Sequence, residues 1–393
     1  MAINVTYVFF YFFHLYIFHF FFHFFFYFYL YDFCIRLATF SLRFWIGRCA
    51  GAGAGAGAGC ESIDVYYRVF IYSIHKIILN TMYLLCIILH HFLSMYESGT
   101  RILDKYVLRE CIGSGAFGEV WSADSVSTGE PVAVKMERIR GNPAPTLQYE
   151  SRVLQLFQNM VGIPRLRYFG RKDDMDGIFM VTELLGPSLE ALATSHRLDM
   201  PADIAKNPPR HHADFISAIG RQMLQRLRSI HMCGMLHRDV KPDNFLFART
   251  PVLDLSRRAN SNPNSVVPLL YLIDFGMAKR IKEPIDAAEN RLVPLIGSAR
   301  YASLAAHRGE ALGRRDDLIS MMYSLMYVAN GAGLPWMGYT ESEICRIKLD
   351  MTPAELCAEL CERHRDGWSA ALERLYAMKT NDVPDYDDIA SRL

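Results

Sequence analysis

Leu236-His237-Arg238-Asp239-Val240-Lys241-Pro242-Asp243-Asn244 is the stretch on which the reading of this chain turns. It matches H-R-D-x-x-x-x-N, a loop that gathers an acid, a lysine and an amide side chain. Asp239 is the candidate base, placed to accept or orient the proton of a substrate hydroxyl. Asn244 is a candidate magnesium ligand. Lys241, two residues after the base, is the serine/threonine type of loop, and its charge would steady a phosphate in transfer. His237 is expected to pack inward and Arg238 to brace the segment downstream. Farther on, the apolar strand Leu270 to Ile273 ends in Asp274-Phe275-Gly276. Asp274 is the second candidate ligand for magnesium bridging the phosphates of ATP. Phosphoryl transfer depends on positioning and charge neutralisation, so two such ligands and one base suffice.

Upstream, Ile112-Gly113-Ser114-Gly115-Ala116-Phe117-Gly118-Glu119-Val120 matches G-x-G-x-x-G-x-V in full. Glycines let a strand–turn–strand loop lie close over phosphates with backbone N–H groups turned toward them. Phe117 at the tip would shield the phosphates from water. G-x-G-x-x-G alone also fits a dinucleotide fold, but that fold needs a helix straight after the glycines. Here Glu119-Val120-Trp121-Ser122-Ala123 alternates as a strand, so a nucleotide-binding oxidoreductase is set aside. A turn at Thr128-Gly129-Glu130 leads into the strand Val132-Ala133-Val134-Lys135. A lysine there is costly to bury without a partner. It is the candidate ammonium for the α- and β-phosphates, with Glu150, on the amphipathic run from Leu147 through Phe157, as the acid that fixes it. Val120 and Ala133 would pack on the adenine ring.

These motifs, in this order, resemble the casein kinase I family of serine/threonine protein kinases, over roughly Tyr106 to Tyr386. The resemblance rests on Val161-Gly162-Ile163-Pro164, Glu183-Leu184-Leu185-Gly186-Pro187-Ser188-Leu189-Glu190 and Lys241-Pro242-Asp243-Asn244-Phe245-Leu246. It rests also on Tyr271 to Gly276, Ser298-Ala299-Arg300-Tyr301-Ala302-Ser303 and Arg314-Arg315-Asp316-Asp317-Leu318. Ser303-Leu304-Ala305 is a drifted S-I-N where most kinases have A-P-E; Leu334-Pro335-Trp336 and Pro384-Asp385-Tyr386 fit as well. The resemblance implies an α+β, bilobal protein kinase fold over 106–393. A small antiparallel sheet with one main helix would occupy 106–182, a hinge 183–186, and a larger, mostly helical lobe 187–393. It implies ATP and Mg²⁺ as cofactors, Thr182 as gatekeeper, and backbone groups of Glu183 and Leu185 as adenine partners. Protein substrates bearing Ser or Thr are the expected partners of a monomeric enzyme. A pseudokinase or scaffold that binds nucleotide or partners is the alternative.

Several residues depart from the family. Arg300 is retained as the substrate-anion residue, as are Lys279, Arg280 and Lys282. The stretch after Trp336, Tyr339-Thr340-Glu341-Ser342-Glu343, is acidic where the family is lysine-rich, and Val293 replaces a usual lysine. Like charge repels a phosphorylated substrate, so recognition of phosphate-primed substrates is expected to be weakened. Val252 to Val267 inserts a polar loop before the Asp274 strand. The activation loop, Lys279 to Ile296, has no Ser, Thr or Tyr, so constitutive activity is expected. The chain stops soon after Tyr386, where the family continues through a further helix, and exposed apolar surface is expected there.

Composition agrees with two unlike parts. The 393 residues carry a net charge of +1 and are 51% hydrophobic, but the apolar excess sits in the first 94. Formal charge that small gives no overall field for nucleic acid, and no nucleic-acid partner is expected. Val5 to Tyr31 and Ile77 to Tyr96 are long enough to span a bilayer, and a Gly-Ala repeat at Gly51 to Gly59 lies between them. Phe fills the first run throughout, whereas natural spans are rich in Leu, Val and Ala. The expectation is therefore a gene-model extension with Met95 as the start and a cytoplasmic or nuclear enzyme; a membrane anchor is the alternative. There are nine cysteines and no CxxC pair. Cys357, Cys361 and His364 could share one helix face, which makes a metal site conceivable; thiols in a reducing compartment are the plainer expectation.

Overall fold

The computed structural model describes residues 96–115, 118–139, 146–172, 177–196, 210–249, 267–281 and 294–393. Ala116, Phe117, Lys282, Val293, most of the Val252–Val267 insert and both apolar N-terminal runs up to residue 95 lie outside them. No helix among the described residues is long and apolar enough to cross a membrane.

The small lobe is an antiparallel sheet of six strands in the order β1-β2-β3-β4-β6-β5. The strands are β1 (Arg101–Ile102), β2 (Tyr106–Gly115), β3 (Gly118–Ser125), β4 (Pro131–Arg138), β5 (Leu166–Lys172) and β6 (Gly177–Glu183). Side chains alternate across a strand, so Val132, Val134 and Met136 of β4 enter one apolar cluster with Leu108, Trp121, Phe179 and Val181. Ala133 and Lys135 are thereby forced onto the opposite face. The sheet begins upstream of Tyr106: Ile102 is fully buried, and Tyr96 packs edge-on against Phe179 at 6.2 Å. β2 and β3 form the hairpin expected of the glycine loop, with Gly115 paired to Gly118. Gly118 has φ +113, and a Cβ there would strike the Met136 carbonyl, so only glycine closes this hairpin.

One main helix, α1 (Leu147–Leu156), packs against the sheet through Leu147, Glu150, Val153 and Leu154. Its first backbone amides have no partner within the helix. Glu137 of β4 supplies one, its carboxylate accepting from Thr146 N at 3.0 Å and Leu147 N at 2.7 Å. The sheet thus docks the helix end, and the docking sets where Glu150 points.

The larger lobe is mostly helical: α2 (Leu189–His196), α3 (Arg210–Met232), α4 (Leu304–His307), α5 (Arg314–Ala329), α6 (Glu341–Asp350), α7 (Pro353–Cys357), α8 (Glu362–Ala377) and α9 (Tyr386–Arg392). Among the described residues four short strands accompany them: β7 (Met235–Leu236), β8 (Phe245–Phe247), β9 (Leu270–Leu272) and β10 (Lys279–Arg280). β8 pairs with β9 and β7 with β10. Helix α5 is buried nearly all round, from Leu318 through Val328, as a central helix must be. Helix α9 packs on α3 and α8 and buries Ile389, and Leu393 just after it is buried too, so this segment closes apolar surface.

The expectation that Cys357, Cys361 and His364 share one helix face is corrected. Cys357 ends α7 and Cys361 caps α8, so a break separates them. The His364 ring stacks on Trp368 at 4.5 Å and its Nε2 lies 3.0 Å from Ser217 Oγ. No metal-holding cluster of His, Cys, Asp or Glu is found among the described residues.

At the start of α5, Asp317 is almost fully buried beneath the H-R-D loop. Its carboxylate accepts from His237 N at 2.7 Å, Arg238 N at 2.8 Å and His231 Nε2 at 2.9 Å. Burial alone would raise its pKa, but the hydrogen bond and charge of His231, with those of His237, outweigh burial and hold it below the ordinary aspartate value. Replacing Asp317 by Asn is expected to reduce unfolding stability by about 3–5 kcal/mol in denaturant titrations, the usual loss when a buried pair is broken. By contrast Arg109 and Asp124, 2.7 Å apart but 57% and 37% exposed, form a surface pair, and Arg109→Ala is expected to change stability by less than about 1 kcal/mol. Because the folded pKa of Asp317 is depressed, its contribution is complete above the unfolded value of about 3.9 and is lost as pH falls below it. The stability gap between wild type and Asp317→Asn should narrow there.

Candidate active site

The cleft between sheet and helical lobe is a cavity of about 1140 Å³ lined by residues from both. On its upper side Lys135, left facing inward by the alternation of β4, meets two carboxylates. Its Nζ donates to Glu150 Oε2 at 2.7 Å and to Asp274 Oδ1 at 3.1 Å. Burial alone would favour the neutral amine, but Glu150 and Asp274 outweigh it and hold the pKa of Lys135 above the ordinary lysine value. The two acids respond oppositely. Burial raises Glu150, whose side chain is 5% exposed, and Lys135 only partly offsets that. Burial also opposes ionisation of Asp274, but that side chain is 30% exposed, so Lys135 prevails and its pKa is lowered.

On the lower side Asp239 is fixed from three directions. Lys241 Nζ donates to Oδ2 at 2.7 Å. Ser298 donates to Oδ1 through its backbone N at 3.0 Å and its hydroxyl at 3.1 Å. Asn244 Nδ2 donates to the Asp239 carbonyl at 2.8 Å, which leaves the amide oxygen on the other side of the group. The Asn244 carbonyl in turn accepts from Ile273 N at 2.9 Å, tying the strand that carries Asp274 to the loop that carries Asp239. Gly297 makes the approach of Ser298 possible: it has φ +85, and a Cβ would lie 2.6 Å from the Arg238 carbonyl. Phe275 packs between Phe157 and His237, at 5.2 and 5.3 Å between ring centroids.

The expected residues therefore converge, with exceptions, and Asp239 itself lies just beyond the cavity lining, in a small adjoining pocket that shares Ser298 with it. Ile112, Gly113, Ser114, Gly115, Gly118, Val120, Ala133, Lys135, Glu150, Thr182, Glu183, Leu185, Lys241, Asn244, Asp274 and Arg300 all line the one cavity. Glu119 does not: its carboxylate accepts from Trp121 Nε1 at 2.9 Å, on the strand's other face. Ala116 and Phe117 fall outside the described residues. Arg300 is half-buried over the Tyr301 and Tyr327 rings, at 5.8 and 5.7 Å. Sequence reasoning missed Leu246 and Ile273, which line the cavity next to motif residues, and gave no role to Ser298. The neighbouring motifs were the available signal for the first two. For Ser298 only its place before Arg300 hinted at proximity. Asp274 and Asn244 offer hard oxygen donors into the same cavity, the donor chemistry that suits Mg²⁺.

A two-lobed fold with a glycine hairpin over a cleft and an acid-bearing loop beneath it defines a phosphotransferase. The family model for the protein kinase domain matches residues 106–369, more than half of the chain, and the chain belongs to that family. Kinases of this kind generally act on protein substrates with ATP and Mg²⁺.

Glu150→Gln leaves Lys135 in the interior with only the more exposed Asp274. A loss of about 3–5 kcal/mol in stability is expected, the range for breaking a buried pair. Phosphate incorporation should fall with it, because Lys135 would lose the acid that orients it.

Proposed function

We propose that this chain is a serine/threonine protein kinase of the casein kinase I type, divergent in its substrate-facing surface. The observation that carries the reading is Asp239 held between Lys241 and Ser298, two residues that line the same cavity as the Lys135–Glu150–Asp274 cluster. Asp239 orients the hydroxyl of the acceptor and takes its proton. Lys241, hydrogen-bonded to that carboxylate, stands beside the phosphate that moves. Lys135 grips phosphates upstream of it, under the Gly113–Gly118 hairpin. Ile112, Val120, Ala133 and Leu246 enclose the adenine, with the backbone of Glu183 and Leu185 as its polar edge. Asn244 and Asp274 hold Mg²⁺, which when bound neutralises charge on the phosphate oxygens. The rival pseudokinase reading is not favoured, since every side chain of the set is present and the ion pair of Lys135 is formed. That pair is formed with no phosphorylatable residue in the activation loop, in line with constitutive activity.

The substrate side supports unprimed substrates. Arg300 lies over two tyrosine rings, and burial opposes its charge while those tyrosines and Glu190 favour it, leaving the pKa raised. The acidic stretch that opens α6 also serves the fold. Glu343 accepts from Thr340 N at 2.8 Å and Thr340 Oγ1 at 2.7 Å and so closes the helix start. Glu343 therefore serves the helix first, and no basic side chain replaces the lysines of the family there.

Casein or a serine peptide with labelled ATP tests the reading. Wild type should yield phosphoserine and phosphothreonine, and Asp239→Asn should lose about 10³-fold or more in kcat/KM, as expected for a group acting in the transition state. Equal incorporation by the two proteins, or phosphotyrosine as the product, would overturn it. Primed and unprimed peptides should differ little in kcat/KM, and phosphatase treatment of the enzyme should leave its activity intact. With threonine as gatekeeper, Thr182→Met should weaken bulky ATP-competitive inhibitors while the KM for ATP holds.

A further inference from the structure

Lys348, on α6, has no part in the proposed chemistry, yet it is 1% exposed in the middle of the larger lobe. A lysine almost never stands so deep without partners that need it. Its Nζ donates to the carbonyl of Ala299 at 2.8 Å and to that of Ala302 at 2.7 Å. It lies over the rings of Tyr323 and Trp336, at 4.9 and 4.8 Å. Trp336 Nε1 donates to the carbonyl between them, that of Arg300, at 2.8 Å. His307 Nε2 donates to Ala299 at 3.1 Å and sits 3.3 Å from the amine. Three carbonyls of one short segment thus point into the lobe, and each meets a side chain from another element.

The other side of that segment faces the cleft. Ser298, Ala299, Arg300 and Tyr301 line the cavity, and Ser298 bonds Asp239 directly. Backbone carbonyls outside helix and sheet must find donors when buried. Lys348 and Trp336 supply them here, and so decide how the segment lies against Asp239. We propose that Lys348 is a positioning residue for the acceptor substrate: it pins the backbone of Ser298–Tyr301 from below and so sets where Arg300 and Ser298 stand beside the base. This rests on the kinase reading above. Burial pulls the pKa of Lys348 down to about 7, yet protonated or neutral the nitrogen keeps the two hydrogens that two carbonyls require. Burial, with the neighbouring amine, keeps His307 at about 4, so the imidazole adds no second cation to the cluster.

Lys348→Met keeps the length and apolar stem and removes the donors. In the full chain it should raise the KM for an acceptor peptide about tenfold and leave the KM for ATP within about twofold, since a segment displaced at the substrate side spares the nucleotide side. Hydrogen exchange read by mass spectrometry should quicken at residues 299–302 and stay unchanged across β4 and β6. A folded Lys348→Met with wild-type acceptor KM, or with both KM values raised alike, would overturn the proposal. If that variant yields no folded protein, Trp336→Phe decides, because it removes the donor to Arg300 and keeps an aromatic ring beside Lys348; an unchanged acceptor KM then overturns it. If wild type itself transfers no phosphate, the kinase reading falls. The positioning claim then stands or falls on exchange at 299–302 in whichever variant folds, and unchanged protection sinks it.

Discussion

The carboxylate of Asp317 sits in the interior of the helical lobe and accepts from the backbone of His237 and Arg238 and from His231. Arg238 has φ 67, a conformation that a residue with a side chain enters only under constraint. The two backbone hydrogen bonds supply that constraint. With the loop bent there, Asp239 emerges toward the cleft, Arg238 Nε reaches the Met277 carbonyl at 2.7 Å, and His237 packs beneath Phe275. The same carboxylate extends through His231 to the Tyr386 hydroxyl, 2.8 Å from Nδ1, so α9 joins the support of the loop.

A second buried charge organises the other wall. Lys135 bonds to acids from α1 and from the segment after β9, so sheet, helix and lower lobe meet at one nitrogen. Such a cluster is a weak source of stability, because desolvation opposes the attraction. Its value lies in geometry: three elements distant in sequence have one arrangement that satisfies all three charges. Phe275 adds an apolar version of the same linkage, packed between Phe157 at the end of α1 and His237 in the loop. The two walls of the cleft are therefore joined by a polar contact and an aromatic one, side by side.

Much of this was legible in the chain itself. The glycine loop, the Lys135 strand, the H-R-D loop and Asp274 each announce their local structure through spacing, and each fell on the element expected. Glu150 was reachable because an amphipathic run has only one acid on its buried face. Glu119 points away from the cleft, since alternate residues of a strand face opposite ways and a motif taken as a block ignores that. The cysteine–histidine cluster fails for a related reason: helix spacing does not carry across the break between α7 and α8. The acidic stretch that opens α6 suggests substrate repulsion, but Glu343 closes a helix start, a role visible in Thr340-x-x-Glu343.

By itself the sequence determined the class of chemistry, because phosphate cradling, base and metal-ligand donors are carried by short motifs whose local geometry follows from neighbouring residues. It also determined the alternation that turns Lys135 inward. Only the tertiary structure decided what holds the motifs in register. Asp317 beneath the loop, Ser298 on Asp239 and Lys348 beneath the substrate-facing segment all act across long stretches of chain. Buried backbone groups recruit whatever donor or acceptor the fold brings near. That choice depends on packing of the whole lobe, and no local pattern encodes it.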